Sequence, residues 1–299
     1  MKFTRIKPHY FDEENNIALF QGDCTEILPQ LIEDGIHVNS VVSDPPYGIG
    51  YVSNHRKADD ILGKAIHNDE DLTVVAKILP YLDELLTTNS ALYFFGHPNK
   101  IGECRNLLDK YWAYKNTLVW DKGDAGTFGD LKAGYSLNYE SIFYYNKGRR
   151  KLNGSRPRTI LRYDYNHPEN RSIAEVHYDE FLHIIKTLIT YIPPDILENV
   201  LAELPEDVIG KALYDVPKSI LRKDWSSRND PVHATTKPVS ILQLLIKRST
   251  EERDIVIDPF MGSGTTGAAA KLLKRGFIGI ELDPNYFRVA QDRIHNTKI

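Results

Sequence analysis

The tetrapeptide Asp44-Pro45-Pro46-Tyr47 combines a carboxylate, two prolines and an aromatic ring directly after an apolar segment. Two consecutive prolines fix φ and lack backbone N–H donors, so the chain can neither continue as a strand nor begin a helix there. The carboxylate and the nearby backbone carbonyl groups therefore remain as hydrogen-bond acceptors beside a flat ring. This set suits a planar group that carries an NH2, for example the exocyclic amine of a nucleobase. A surface turn is the alternative interpretation.

A second motif lies later in the chain, where the apolar run 254–258 leads into Pro-Phe-Met-Gly-Ser-Gly-Thr-Thr, 259–266. Glycines let a ligand approach the backbone closely, and the N–H groups at a helix start attract anionic groups. Glu281 ends the next apolar segment, where a carboxylate is placed to accept hydrogen bonds from ribose hydroxyls. These features together predict a site for a nucleoside-containing cofactor.

Two other cofactor classes share part of this pattern. A Walker loop requires a lysine after the last glycine, and Thr265 follows Gly264 instead. The dinucleotide spacing G-x-G-x-x-G is matched by Gly262, Gly264 and Gly267, so a dehydrogenase remains an alternative from the spacing alone. A dehydrogenase would not explain the Asp-Pro-Pro-Tyr tetrapeptide.

A strongly basic stretch occupies 147–162 and contains no acidic residue. Its seven cationic residues are Lys147, Arg149, Arg150, Lys151, Arg156, Arg158 and Arg162. An ordinary solvated surface would mix charges of both signs, whereas contact with phosphates favours such a run. We therefore predict nucleic-acid contact, with Arg149, Arg150, Arg156 and Arg158 as the candidates, although the net charge of −4 gives no global sign of a nucleic-acid binder.

Composition excludes several other classes. The only two cysteines, Cys24 and Cys104, lie far apart, which argues against a disulfide framework or a cysteine-based metal site and suits a reducing cytosol. The sequence starts with polar residues rather than a signal peptide, and no run of about 18 apolar residues predicts a membrane span. We expect no metal.

Apolar periodicity predicts alternating strands and helices, which is typical of an α/β protein with a parallel sheet. The predicted strands are 17–20, 38–42, 90–95, 114–120, 139–145, 254–258 and 277–281. The predicted helices are 24–32, 72–86, 99–108, 239–247, 266–275 and a last one that is capped by Asp283. Between them, 151–232 interrupts the alternation with its own apolar helix faces. We therefore expect two halves of one domain, 1–150 and 233–299, separated by an inserted region, 151–232.

The joint motifs Asp44-Pro-Pro-Tyr47, His233-Ala-Thr-Thr-Lys237-Pro and Asp258-Pro-Phe-Met-Gly-Ser-Gly-Thr-Thr266 resemble those of the amino-group DNA methyltransferases that use S-adenosylmethionine. The tetrapeptide precedes the cofactor loop, with a variable insertion between them, as in the β arrangement of that family. The resemblance covers 18–148 and 233–294. It implies a doubly wound, mostly parallel, seven-stranded Rossmann-like sheet, with a mainly helical insertion that recognises the DNA target.

The resemblance also implies roles for individual residues. The adenine amine of the cofactor would be bound by Asp23 and its ribose by Glu281. The residues expected at the methionine end of the cofactor are Asp258, Phe260, Gly262 and Gly264, and those near its carboxylate are Thr235 and Lys237. Phe95 and Gly96 would approach the substrate pocket. The family usually has proline after the histidine, where this chain has Ala234, so the sequence departs from the family pattern directly after His233.

In that family, the catalytic tetrapeptide activates an exocyclic amine of a base that is flipped out of double-stranded DNA. Asp44 and the Pro45 carbonyl would accept the amine hydrogens, the prolines Pro45 and Pro46 would hold these acceptors rigid, and Tyr47 would stack on the base. Asp at the first position favours adenine N6, because cytosine N4 relatives more often carry Ser there. RNA, a protein glutamine amide and a DNA-binding relative without turnover remain alternatives. The resemblance leaves open a companion restriction endonuclease and a homodimer, and it suggests a cytoplasmic, nucleoid-associated enzyme of bacterial, archaeal or phage type.

Overall fold

A computed structural model describes residues 1–50, 69–121, 139–154, 159–162 and 237–299. Within these ranges, one sheet contains the strands β1 (Tyr10–Asp12), β2 (Ile17–Gln21), β3 (Val38–Ser43), β4 (Leu86–Gly96), β5 (Ala113–Asp121), β6 (Tyr139–Lys147), β7 (Ile160–Arg162), β8 (Ile255–Asp258) and β9 (Gly276–Glu281). The helices are α1 (Cys24–Glu33), α2 (Thr73–Leu85), α3 (Ile101–Leu108), α4 (Val239–Ser249), α5 (Thr265–Leu272) and α6 (Pro284–Asn296). A short 3-10 turn, Pro98–Lys100, precedes α3.

The strand order is β1-β2-β9-β8-β3-β4-β6-β5-β7. The pairings from β2 through β9, β8 and β3 to β4 are parallel, as is β5 with β7, whereas β1–β2, β4–β6 and β6–β5 are antiparallel. The prediction of a mostly parallel α/β sheet is therefore confirmed. Two three-residue edge strands, β1 and β7, extend the seven predicted strands to nine in the described chain, since strands this short carry no recognisable alternation.

Helices cover both faces of the sheet, so the fold is doubly wound. On one face, Leu28 of α1 and Leu82 of α2 pack with strand residues such as Phe94. On the other face, Leu245 of α4 and Ala290 of α6 pack with a second set of strand residues. Side chains of β4 alternate between these two cores, because successive residues of a strand point to opposite faces.

Acidic caps begin two of the helices that flank the sheet. The Asp23 carboxylate accepts a hydrogen bond from the Thr25 N–H at 2.8 Å at the start of α1. Asp283 accepts from the backbone of Asn285 and Tyr286 at the start of α6, as its predicted capping role requires. These caps fix the places where the chain leaves β2 and β9, which are neighbouring strands.

The chain reverses its direction of winding between β3 and β8. After β3 the chain crosses through α2 to β4 on one side, whereas β8 leads through α5 to β9 on the other side. β3 and β8 are hydrogen-bonded in parallel, with Val41 opposite Ile257. Open α/β sheets bind ligands at such a topological switch point, outside the carboxyl ends of the strands.

The described residues belong to a compact unit that includes Met1–Asp164 and Ala234–Ile299. Most of the predicted insertion, 151–232, lies outside the described residues, as do His233, Thr235, Arg156 and Arg158. The three-part division of the chain therefore stays a prediction. None of the helices in the described part of the chain has the length and apolar character needed to cross a membrane.

Candidate active site

Four acidic residues stand at the carboxyl ends of four neighbouring parallel strands. Asp23 follows β2, Glu281 ends β9, Asp258 ends β8 and Asp44 follows β3, and these strands are adjacent in that order. Neighbouring strands lie about 4.8 Å apart, so the row spans roughly 14 Å along one edge of the sheet. The structure thus brings both sequence motifs to the switch point, although they are far apart in the chain.

The two prolines of the tetrapeptide anchor it to the sheet. Pro45 and Pro46 are buried and line a small apolar pocket with Phe94, Phe143 and other side chains. Asp44 keeps 32% of its side chain exposed. The tetrapeptide therefore presents a rigidly held carboxylate at the edge of an apolar wall.

Both oxygens of Asp44 already have partners in the protein. The Tyr47 hydroxyl donates to Asp44 Oδ1 at 2.5 Å, and the Lys237 ammonium donates to Asp44 Oδ2 at 2.6 Å. Lys237 Nζ also lies 3.2 Å from Glu140 Oε2, which is 3.4 Å from the Tyr47 hydroxyl. We call these four side chains, Asp44, Tyr47, Glu140 and Lys237, the carboxylate ring. The ring joins the tetrapeptide, β6 and a lysine two positions before the start of α4.

Burial dominates the electrostatics of the carboxylate ring. Burial raises the pKa of Asp44 above its ordinary value, Lys237 opposes that change and Glu140 adds to it. Burial alone would lower the pKa of Lys237, but the two carboxylates together raise it. Burial and the adjacent carboxylates also hold the pKa of Tyr47 well above its ordinary value. The lysine is therefore a permanent cation beside a carboxylate with increased basicity.

Lys237 lies beside the tetrapeptide, and its predicted contact with the carboxylate of a cofactor stays a prediction. Its side chain is only 8% exposed, and its ammonium is shared by Asp44 and Glu140. The Phe95 ring centre lies 5.4 Å from the same nitrogen, and the Tyr47 ring centre lies 5.7 Å away. Two carboxylates and two rings thus hold Lys237 on the side of the tetrapeptide.

Tyr47 is also more constrained than a free stacking platform would be. Its hydroxyl donates to Asp44, and its ring lies at 6.5 Å from the His97 ring, measured between centres, with the planes tilted. Glu140, the partner on β6, is not among the residues that the sequence predicts for the site. The one available signal was an acid near the start of a strand whose next six residues are all buried.

Asp258 organises the start of the glycine loop with its own hydrogen bonds. Its Oδ1 accepts from the Ser43 hydroxyl at 2.9 Å and from the Phe260 N–H at 3.1 Å, and its Oδ2 accepts from the Thr266 hydroxyl at 2.7 Å. Burial raises the pKa of Asp258 to about 7. The carboxylate therefore connects β3, β8 and the first turn of α5 in a single buried network.

Glu281 holds the other side of the loop. Its Oε2 accepts from the Gly262 N–H at 2.9 Å, and its Oε1 accepts from the Asp283 N–H at 2.8 Å. Burial raises the pKa of Glu281 to about 7. Each carboxylate oxygen has a second lone pair, so Glu281 can still accept hydrogen bonds from a ligand.

The two loop glycines have different surroundings. Gly262 has φ +51°, and a Cβ built on it would meet nothing within 4 Å, so open space lies above its backbone. Gly264 has φ +79°, and a Cβ there would lie 2.8 Å from Ala290 of α6. Gly262 therefore leaves room for a ligand, whereas Gly264 allows two chain segments to pack closely.

A polar cleft of about 180 Å³ opens beside Asp23. Its other lining residues come from the start of α1 and from the region around the start of α2, and they are Thr25, Glu70, Asp71, Thr73, Val74 and Lys77. One oxygen of Asp23 caps α1, as described above, and the other oxygen has no such capping bond. In the described ranges, no group of three or more His, Cys, Asp or Glu side chains is arranged to hold a metal ion.

The described start of the basic stretch does not reach this edge of the sheet. Arg149 donates its backbone N–H to Asn89, near the start of the parallel part of β4. The Arg150 guanidinium lies 2.8 Å from Asp254, the residue before β8, in a largely buried ion pair. Both arginines are therefore at the amino-terminal edge, opposite Asp44. Phosphate contact by these residues stays a prediction, but the structure does not bring them to the candidate active site.

Comparison with known proteins identifies a family. The sequence profile of the N6_N4_Mtase family, which is described as DNA methylase, matches residues 38–292. The Type II methyltransferase M1.MboII of Moraxella bovis is 27% identical over 289 residues, which cover 94% of this chain and 97% of that protein. The Type II methyltransferase M.HinfI of Haemophilus influenzae is 48% identical over a shorter stretch of 66 residues, which cover 22% of this chain and 18% of that protein.

Solved structures show the same fold. The complex of M1.HpyAVI with SAM superimposes with a TM-score of 0.55 at 21% identity and covers 93% of this chain and 99% of that chain. The PvuII DNA methyltransferase, which is specific for cytosine N4, superimposes with a TM-score of 0.57 at 14% identity and covers 95% of this chain and 88% of that chain. The sheet described above is thus a methyltransferase sheet.

Proposed function

The chain belongs to the N6/N4 family of DNA methylases, and on that premise we propose that it transfers a methyl group from S-adenosylmethionine to adenine N6 in double-stranded DNA. One observation carries the proposal. Ser43, which precedes the tetrapeptide, donates to Asp258, the start of the cofactor loop, at 2.9 Å. The acceptor for an amine and the site for a methyl donor are therefore neighbours on one rigid edge.

The chain's own residues fit the cofactor in three parts. The cleft beside Asp23 has a free carboxylate oxygen for the adenine amine. Glu281 has lone pairs for the ribose hydroxyls, and the open space above Gly262 leaves room for the methionine part. These subsites follow one another along the row of strand ends, in the order of an extended adenosyl-methionine. When bound, S-adenosylmethionine supplies a methyl group that its sulfonium has already activated.

The tetrapeptide makes the amine reactive. An aromatic amine is a poor nucleophile because its lone pair is delocalised into the ring. Hydrogen bonds from its two hydrogens to the Asp44 carboxylate and the Pro45 carbonyl would draw the nitrogen towards tetrahedral geometry and localise that pair. Because the prolines are buried, these acceptors need little rearrangement during the reaction. Asp44 has spare lone pairs despite its contacts with Tyr47 and Lys237.

Two features of the chain bear on the base. Asp rather than Ser leads the tetrapeptide, which supports adenine N6. A base in a duplex must be flipped out to reach this edge, and the exposed part of Asp44 marks where it would enter. Cytosine N4 would use the same acceptors, so it is the alternative outcome of the product analysis below.

Replacing the carboxylate tests the proposal directly. Asp44→Ala should reduce transfer of tritiated methyl groups to DNA by about 100-fold or more, because it removes a preorganised acceptor. The affinity for S-adenosylmethionine, measured by calorimetry, should stay within about twofold. Near-normal turnover would contradict the role of Asp44. Chromatography of hydrolysed DNA from the wild-type reaction separates N6-methyladenine from N4-methylcytosine, and no methylated base would indicate a binding protein without turnover.

We assign recognition of the DNA target to the insertion 151–232, between the catalytic half 1–150 and the cofactor-binding half 233–299. The relatives are named as Type II methyltransferases, which supports a role in restriction and modification and hence a companion endonuclease. Methylation-sensitive sequencing of DNA from cells that express the protein would give the base and its sequence context together. A homodimer and a cytoplasmic location stay predictions; sedimentation of the protein with and without a DNA duplex would measure its oligomeric state.

A further inference from the structure

Glu140 contacts the catalytic tetrapeptide although it lies outside both sequence motifs. It stands near the start of β6, and its Oε2 is 3.2 Å from Lys237 Nζ and 3.4 Å from the Tyr47 hydroxyl. We propose that Glu140 is a positioning residue for methyl transfer, which divides the Lys237 ammonium between two carboxylates and so leaves Asp44 available to the substrate amine. This inference rests on the proposed function and adds a residue to it.

The geometry makes Lys237 a shared donor. An ammonium has three N–H groups, one of which is directed at Asp44 and another at Glu140. The lysine is nearly fully buried between the rings of Tyr47 and Phe95, so its nitrogen has little freedom to move. Its position is therefore determined by both carboxylates together.

The second carboxylate, Glu140, changes how strongly the Lys237 ammonium weakens Asp44 as a hydrogen-bond acceptor. If Lys237 were paired with Asp44 alone, the full charge of the ammonium would act on that carboxylate and weaken it as an acceptor for the substrate amine. With Glu140 present, the ammonium is held by two carboxylates, 2.6 Å from Asp44 and 3.2 Å from Glu140. Glu140 thereby takes part of the ammonium's positive charge, which makes the exposed side of Asp44 a stronger hydrogen-bond acceptor.

Several titratable groups surround Asp44. They are Tyr47 on the same loop, Glu140 from β6, Lys237 before α4 and Asp258 at the end of β8, while His97 lies against the Tyr47 ring. Glu140 raises the pKa of Asp44 and Lys237 lowers it. Loss of the Glu140 charge should therefore lower the pKa of Asp44, and loss of Lys237 should raise it.

The first experiment compares Glu140→Gln with the wild type. We expect kcat to fall about tenfold, with the affinity for S-adenosylmethionine unchanged within about twofold, because the substitution acts on Asp44 and not on the cofactor subsites. The acid limb of the pH–rate profile should move to lower pH, since the carboxylate loses a like-charged neighbour. Glu140→Asp keeps the charge and should retain the wild-type limb.

The second experiment tests whether Glu140 acts through Lys237. In a Lys237→Met background, Glu140→Gln should cause a clearly smaller loss of kcat than in the wild type, because the shared donor is already absent and only the direct effect of the Glu140 charge on Asp44 remains. The matched control is Asp83→Asn, which removes a carboxylate 3.3 Å from Lys147 away from the carboxylate ring. This control should leave the pH limb unchanged whatever its effect on the melting temperature.

The outcomes separate this inference from the proposed function. An unmoved acid limb in Glu140→Gln, or equal losses of kcat in the wild-type and Lys237→Met backgrounds, would overturn the role of Glu140 while DNA methylation still stood. Absence of methyl transfer by the wild type would overturn the proposed function itself. If Lys237→Met does not fold, the acid limbs of the pH–rate profiles of Glu140→Gln and Glu140→Asp are sufficient to test the role of Glu140.

Discussion

Asp258 and Glu281 are buried carboxyl groups whose hydrogen bonds come from the chain itself. Each accepts at least two, from hydroxyl or backbone donors around the glycine loop. These bonds do not fully offset burial, so the pKa of each group is raised to about 7. This edge of the sheet therefore holds protons that an unfolded chain would release near pH 4.

This difference between the folded and unfolded pKa values makes the free energy of unfolding depend on pH. A carboxyl group with a raised pKa in the folded state stabilises the protein below its unfolded pKa, and that contribution is lost as pH rises through about 7. The free energy of unfolding in urea should thus fall between pH 5 and pH 8, and Glu281→Gln should reduce the fall by roughly 1–3 kcal/mol. Glu103→Gln, which alters an exposed ion pair with Lys100, is the control. An equal fall in Glu281→Gln and the wild type would contradict the assignment.

Single residues also mark the limit of what the sequence could predict. Asp44, Asp258 and Glu281 were identified because a motif places each of them at a strand end. The contact between Lys237 and Asp44 spans 193 positions and depends on the direction of a long side chain, which no local pattern specifies. Glu140 was missed for a related reason, since an acid at the start of a strand is ordinarily solvated.

At the scale of elements, the glycine loop connects β8 to α5 and packs against α6. Gly264 stands directly before α5 with a left-handed backbone, and its Cα faces Ala290. Gly262 has a left-handed backbone too but faces open space. Glycine at position 264 therefore allows close packing against α6, whereas glycine at position 262 leaves space for a ligand.

Matched alanine substitutions should separate these two roles. Gly264→Ala should lower the free energy of unfolding by about 1–3 kcal/mol, because it combines positive φ with overlap at Ala290. Gly262→Ala should cost about 1 kcal/mol for its φ alone and should weaken binding of S-adenosylmethionine more than tenfold by filling the space above the loop. Urea unfolding and calorimetry measure the two effects. Equal changes in stability would contradict the distinction.

Most elements could be predicted from apolar runs and their breakers. The seven predicted strands and the six predicted helices of 1–150 and 233–299 are present, with ends shifted by a few residues. β4 begins at Leu86, earlier than predicted, because Leu86 pairs with Val38 of β3 before a shift in register, and the polar residues that follow Leu86 hide this pairing in the sequence. The edge strands β1 and β7 depend on pairing with β2 and β5, so local sequence could not reveal them.

At the scale of the whole molecule, the two edges of the sheet have different characters. The carboxyl edge holds the acidic row and the carboxylate ring, whereas Arg149 and Arg150 lie at the amino-terminal edge. Arg150 is held by Asp254, so its charge is already compensated within the protein. The cationic run in the sequence thus includes ion-paired residues such as Arg150, whereas Arg156 and Arg158 lie outside the described residues.

Paired substitutions should locate the phosphate contacts. The double substitution Arg156→Gln with Arg158→Gln should weaken DNA binding. It should also reduce the magnitude of the slope of log K against log salt by about two, since each phosphate contact contributes about 0.9 to that slope. Arg149→Gln with Arg150→Gln should leave that slope unchanged and lower the melting temperature, because Asp254 loses its partner. Fluorescence anisotropy across a salt series measures both slopes. A flattened slope in the second pair alone would place the DNA at the amino-terminal edge.

The pairing of β3 with β8 has a consequence for biosynthesis. Ser43 and Asp258, which meet at the switch point, are 215 positions apart in the chain. In the same way, β2 can pair with β9 only after β9 has been synthesised. At about 5–20 residues per second, a ribosome needs roughly 10–40 s to pass from one partner to the other. Throughout that interval the nascent chain carries the tetrapeptide without the glycine loop that follows β8. A product interrupted before residue 258 therefore lacks one of the two motifs, and the capacity to methylate DNA arises only after the glycine loop has been made.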